Sequence, residues 1–148
     1  MAERKYEKYI MTDYPGPVPT EGGGPTFQHM FELNNKIIPG AFHIHCSWIS
    51  PGPNPGVYPA HIHPNDDELI GFIGTNPDDM YDLGAEAELW MDDEQYIITR
   101  SFLAFLPKNL VHCPLTVRDV KRPIFHFDIQ TTTGELNFEW VNKEEGLH

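Results

Sequence analysis

The chain has 148 residues, enough for one domain that buries roughly two-thirds of its unfolded surface and needs neither disulfides nor a structural metal to fold. Lys and Arg number 10 against 22 Asp and Glu, and the net charge of -12 argues against a nucleic-acid or anionic-membrane partner. Cys46 and Cys113 lack any paired spacing, the N-terminus lacks an apolar signal core, and no window is long enough for a membrane span; a reduced, cytoplasmic protein is predicted.

Residues 1–25 open with charged side chains and pass into Tyr14-Pro15-Gly16-Pro17-Val18-Pro19 and Gly22-Gly23-Gly24-Pro25. Proline lacks the backbone donor, and neither helix nor central strand survives such a run, so an irregular arm or long loop is expected. A single domain is expected over 26–142 and a frayed tail over 143–148. Residues 26–38 suggest a short edge strand or irregular segment before the Pro39-Gly40 turn. Residues 41–49 alternate as a strand, with Phe42, Ile44, Cys46 and Trp48 on one face and His43, His45 and Ser47 on the other. Its histidines have two readings: pocket-lining acid, base or donor groups that can compete for a metal, or a polar face exposed or held at a subunit contact.

His61-Ile62-His63 follows a proline-rich loop. On an extended strand, residues two apart share a face, so both imidazoles can reach one point. Pro64-Asn65-Asp66 has turn chemistry, and the strand Glu68–Ile73 brings Glu68 back beside the pair, with Asp66 and Asp67 left as solvated turn residues. Residues 74–87 are expected as a long loop; Asp78, Asp79 and Asp82 lack the spacing of an EF-hand and are discounted as a calcium site. A hairpin is expected from Ala87–Met91 and Tyr96–Thr99, and then a strand over 101–107 buried on both faces that delivers His112 as a fourth ligand. Cys113 has the opposite parity and is expected to point away as a small buried hydrophobe. In the last clear strand, 123–129, His126 and Asp128 share a face opposite Phe125, Phe127 and Ile129. They are an acid–base candidate or a structural hydrogen-bonded pair. Phe138, Trp140 and Val141 suggest an added outer strand.

Gly56, His61, His63, Glu68 and Gly74, answered by Pro107 and His112, resemble the two motifs of the cupins. Ser101 and Asn109 stand where the second motif usually has glycines, and Thr116 where it usually has asparagine. The resemblance implies an all-β fold, a double-stranded β-helix or small jelly-roll barrel, holding a divalent metal on His61, His63, Glu68 and His112. Cupin N-terminal segments often lie across a partner subunit, which implies a homodimer. Cupins include dioxygenases, isomerases, decarboxylases, lyases and binders without catalysis, so the resemblance defines the site more narrowly than the reaction.

Three imidazoles and one carboxylate leave a dication about one net positive charge and, if six-coordinate, about two open positions. Iron, manganese, nickel and zinc all suit the set. The expected function is a metal-dependent enzyme acting on a small oxygenated metabolite with vicinal oxygens, either as a dioxygenase or as a non-redox isomerase, lyase or hydrolase. The alternative is a metal-containing module that binds or senses a small ligand without turnover. His43, His45, His126 and Asp128 are the residues expected to supply acid–base chemistry if the pocket has any.

Overall fold

The computed structural model describes residues 4–16, 27–52, 56–132 and 138–141. The Pro/Gly run over 17–25 and the tail over 143–148 lie outside them. The described strands are β1 (Phe27–Leu33), β2 (His43–Ile49), β3 (Gly56–Tyr58), β4 (His61–Ile62), β5 (Glu68–Ile73), β6 (Asp82–Met91), β7 (Glu94–Arg100), β8 (Phe102–Leu106), β9 (His112–Arg118), β10 (Ile124–Gln130) and β11 (Glu139–Trp140). One sheet has the order β1-β2-β10-β5-β8 and the other β11-β4-β9-β6-β7, with β3 also paired to β9. Every pairing is antiparallel. Ile49, Ile70, Phe72, Leu106 and Ile124 of the first sheet form one cluster with Leu83, Leu89, Leu115 and Val117 of the second. The expected all-β double-stranded helix is therefore the observed architecture. No described helix is long and apolar enough to cross a membrane.

The two sheets use alternation in opposite ways. In the six-stranded sheet, Leu83, Ala87 and Leu89 of β6 are buried while Glu88 pairs with Arg118 on the other face. In the five-stranded sheet, β2 and β10 turn their polar residues inward: His43, Ser47, His126 and Gln130 are buried, whereas Trp48 is 36% exposed. Cross-strand register explains this, since Ser47 faces His126, His45 faces Asp128 and His43 faces Gln130 across adjacent strands. The inward polar side chains thus face one another across the strands rather than apolar neighbours.

Three local expectations are corrected. The strand over 101–107 is not buried on both faces; β8 ends the five-stranded sheet, and Leu103 and Phe105 are 62% and 58% exposed. The loop after β5 ends at Tyr81 rather than at residue 87, because β6 begins at Asp82. That loop is organised by side-chain turns, Asn76 accepting from the Asp78 amide and Asp79 from the Tyr81 amide, while Asp82 pairs with Arg122. Gly74 lies so close to the Asp82 carbonyl that a Cβ has no room. Cys113 is the small buried hydrophobe expected, but it joins the core cluster instead of pointing away, and His112 is buried as well.

The reason for that last departure is a bulge. Leu89 faces Leu115 while Met91 faces His112, so three steps of β9 oppose two of β6. Cys113 takes the left-handed φ of 69° there. The extra residue resets the parity and turns His112 to the same side as Leu115.

Candidate metal centre

His61, His63, Glu68 and His112 come together at one point. Each offers a ligand atom, and all of these atoms lie within 4.8 Å of one another. The elements that bring them are short: β4 carries His61, the turn beyond it carries His63, Glu68 opens β5, and His112 opens β9 directly opposite His61. Asp67 holds the turn from outside by accepting the Lys108 amide at 2.9 Å, and the Asn109 amide donates to the His63 carbonyl at 2.9 Å. The loop before β9, from the second motif, is thereby tied to the turn of the first.

Ring orientation is set by the backbone. His61 Nδ1–H donates to the Pro59 carbonyl at 2.8 Å and His112 Nδ1–H to the Leu110 carbonyl at 3.0 Å. Each bond selects the tautomer that leaves Nε2 as a lone-pair donor toward the common point. His63 Nε2 lies 2.5 Å from Glu68 Oε2, and His112 Nε2 lies 3.8 Å from Glu68 Oε1. The buried Nε2 of His112 has no hydrogen-bond partner among the described residues. Burial, reinforced by the neighbouring His61, pushes the His112 pKa down to about 4. Burial likewise lowers that of His61. Neutral imidazoles beside a carboxylate, with a buried lone pair left unused, are what a borderline dication requires, so the residues fit such an ion.

Gln130 is a site residue that the sequence reading passed over. Wholly buried, its Nε2 donates to Glu68 Oε2 at 3.1 Å and lies 3.4 Å from His63 Nδ1. It shares strand parity with His126 and Asp128, so extending β10 by one residue finds it. Phe138 and Trp140 close the outer side, with ring centroids 5.8 and 5.6 Å from that of His61. The added outer strand is β11, paired to β4.

The four expected acid–base residues divide. His126 donates Nδ1–H to the Gly71 carbonyl at 2.9 Å and stacks on Phe72 with centroids 4.1 Å apart, a packed position in which burial lowers its pKa. Asp128 is bonded to His45 and not to His126: His45 Nδ1–H donates to Asp128 Oδ2 at 3.2 Å. His45 Nε2 is hydrogen-bonded to His29 Nδ1 at 2.6 Å and lies 3.3 Å from Ser47 Oγ. Burial disfavours the His45 imidazolium, but the bond and charge of Asp128 outweigh it and its pKa is raised. Burial also acts against the Asp128 carboxylate, and His45 more than compensates, holding its pKa below the usual range. His43 stands between two carboxylates, 3.8 Å from Asp128 Oδ1 and 3.9 Å from Glu32 Oε1. His29 and Glu32 were invisible to alternation because they are three apart; a bulge between His29 and Phe31 puts them opposite Ser47 and His45 on one face. Tyr14 of the arm packs edge-on against His29 and donates to Glu32 at 3.2 Å.

No protein-family model matches the sequence, and no curated protein matches it. Solved structures do. An uncharacterised protein with a double-stranded β-helix domain from Klebsiella pneumoniae subsp. pneumoniae is 16% identical, with a TM-score of 0.55 over 97% of this chain and 99% of that one. This chain has the double-stranded β-helix fold. Oxalate oxidase in complex with glycolate is similar at 14% identity and a TM-score of 0.57, over 90% of this chain and 64% of that one. The chain described here thus spans less than two-thirds of that oxidase. Peruvianin-I, a cysteine peptidase from Thevetia peruviana latex, is 14% identical with a TM-score of 0.59, over 93% of this chain and 80% of that one. Structures named for an oxidase and a peptidase both resemble this chain, so its chemistry has to be argued from its own residues.

Proposed function

We propose that this cupin is a metal-dependent enzyme acting on a small oxygenated acid or related metabolite, with the metal held by His61, His63, Glu68 and His112. The convergence of these four residues carries the reading. A dication held by these four residues would supply Lewis acidity toward a substrate oxygen. The rest is work for the chain. Gln130 holds the Glu68 carboxylate in place, and the carbonyls of Pro59 and Leu110 hold two of the rings. Phe138 and Trp140 pack edge-on against His61 and cover that ring. An enzyme is favoured over a bare binding module because a non-ligand acid–base set, Asp128 with His45, lies in the same barrel interior.

The oxalate oxidase that resembles this chain was captured with glycolate. A small hydroxy or keto acid is accordingly the first substrate class to test. The reading also takes in the homodimer and the cytoplasmic setting; sedimentation equilibrium tests the former. The deciding experiment is elemental analysis of the purified protein combined with oxygen uptake and product analysis over hydroxy acids, keto acids and open-chain sugars. Stoichiometric iron or manganese with substrate-dependent oxygen uptake selects the oxidative branch. Product without oxygen uptake selects the non-redox branch. Bound metal with no turnover would leave a binding module, and no metal after reconstitution would overturn the reading.

A further inference from the structure

The five-stranded sheet buries more polar atoms than it pairs. Among the described residues, Asp128 Oδ1, Gln130 Oε1 and both ring nitrogens of His43 are buried with no hydrogen-bond partner. These are not scattered. Gln130 and His43 are cross-strand partners, Asp128 is two residues from Gln130 on the same face, and His43 Nε2 lies 3.8 Å from Asp128 Oδ1. The other polar atom of each carboxamide or carboxylate is already engaged: Gln130 Nε2 donates to Glu68, and Asp128 Oδ2 accepts from His45. Buried polar atoms left unpaired are rare and call for a partner. A separation of 3.8 Å is too long for a direct hydrogen bond, so each of these atoms is left for a third partner.

We propose that His43, Asp128 and Gln130 form a hydroxyl-binding subsite beside the metal centre, so that the substrate carries at least one hydroxyl group beyond the oxygens offered to the metal. The chemistry selects the group. A hydroxyl can accept from a His43 N–H and donate to Asp128 Oδ1 at once. A second carboxylate or a phosphate meets the negative charge of Asp128 and, on the far side of His43, of Glu32. An ammonium cannot accept from His43. Gln130 faces His43 across the strands and donates to Glu68, so a ligand reaching from the metal to this subsite is a polyhydroxylated acid or open-chain sugar rather than a diketone. This substrate class rests on the metal reading above; the subsite itself does not.

Two experiments separate the two. A high-resolution crystal structure of the protein as purified should show an ordered oxygen, from water or a ligand, within hydrogen-bond reach of His43 Nε2 and Asp128 Oδ1. Direct contact of these side chains with nothing between them would overturn the subsite whether or not metal is bound. Calorimetric titration of manganese-loaded protein with glycolate, glycerate and erythronate should then show affinity rising at least about tenfold from the first to the last, as one charge-assisted hydrogen bond allows. The ratio should fall to near one in Asp128→Asn and in His43→Leu. A ratio near one in the native protein, or one unchanged in both variants, would refute the hydroxyl assignment. Metal content of the same samples is measured in parallel, and failure to load manganese would count against the metal centre while the crystal structure decides the subsite.

Discussion

His61-x-His63 and His43-x-His45 are the same local pattern put to different uses. At the first site two of the three rings are oriented by backbone carbonyls, Pro59 accepting from His61 and Leu110 from the answering His112, while the Gln130 amide lies at Nδ1 of His63. In the second pair the partners are side chains, with Asp128 and His29 on the two nitrogens of His45 and carboxylates 3.8 and 3.9 Å from those of His43. Either acceptor fixes a tautomer, but the charge of a carboxylate also favours the protonated ring, as Asp128 does for His45. The spacing of histidines is therefore a weaker guide to chemistry than the identity of what lies behind each ring.

The largest test of this contrast removes a ligand. Glu68→Ala and His63→Ala should each weaken metal binding by more than about 100-fold, beyond the range typical for supporting residues, while the far-UV circular dichroism keeps its strand signal. His112→Ala should do the same less severely. Full occupancy in the Glu68 or His63 variant, read by elemental analysis, would erase the distinction between the two regions. Gln130→Leu is the next step down, with an expected loss of about 10- to 100-fold in metal affinity from the missing hydrogen bond to Glu68. An unaltered affinity would mean that Glu68 is oriented without it.

Acid should act on the two regions in opposite senses. In metal-free protein, His61 and His112 titrate below their ordinary 6.5, His112 at about 4. The unfolded chain takes up those protons first, so their contribution to stability is present above 6.5 and fades as the pH falls toward 4. His45 is raised above 6.5, so its contribution is present below that value and is lost as the pH climbs through the raised one. In urea unfolding of metal-free samples, His45→Gln should therefore destabilise more at about pH 5.5 than at about pH 8.5, and His112→Gln should flatten the acid loss of stability. Equal effects of His45→Gln at both pH values would show that Asp128 does not hold a proton there. The smallest effect is expected from Asp78→Ala, whose exposed loop has carboxylates but no converging imidazoles. Bound metal should be unchanged and stability should stay within about 0.5 kcal/mol.

The candidate centre was legible because it is mostly local. His61 and His63 share a face by the two-residue period of a strand, Glu68 returns after one turn, and Pro107 announces the loop before His112. These positions need no knowledge of distant neighbours. The all-β fold was legible for a similar reason, since prolines and glycines punctuate short alternating runs throughout. Alternation says that a strand has two unlike faces, and it does not say which one is inside. That choice fell to the register of β10 on β2, which places Asp128 against His45 from 83 residues away and sets the polar faces of the two strands side by side. Gln130 acquired its role in the same way, by facing His43 and Glu68 on neighbouring strands. Bulges in β1 and β9 decided the rest, turning His29, Glu32 and His112 inward against their sequence parity. A one-residue insertion in a ladder costs little in local sequence signal but reverses every face beyond it, so only the assembled sheets could show where those side chains point.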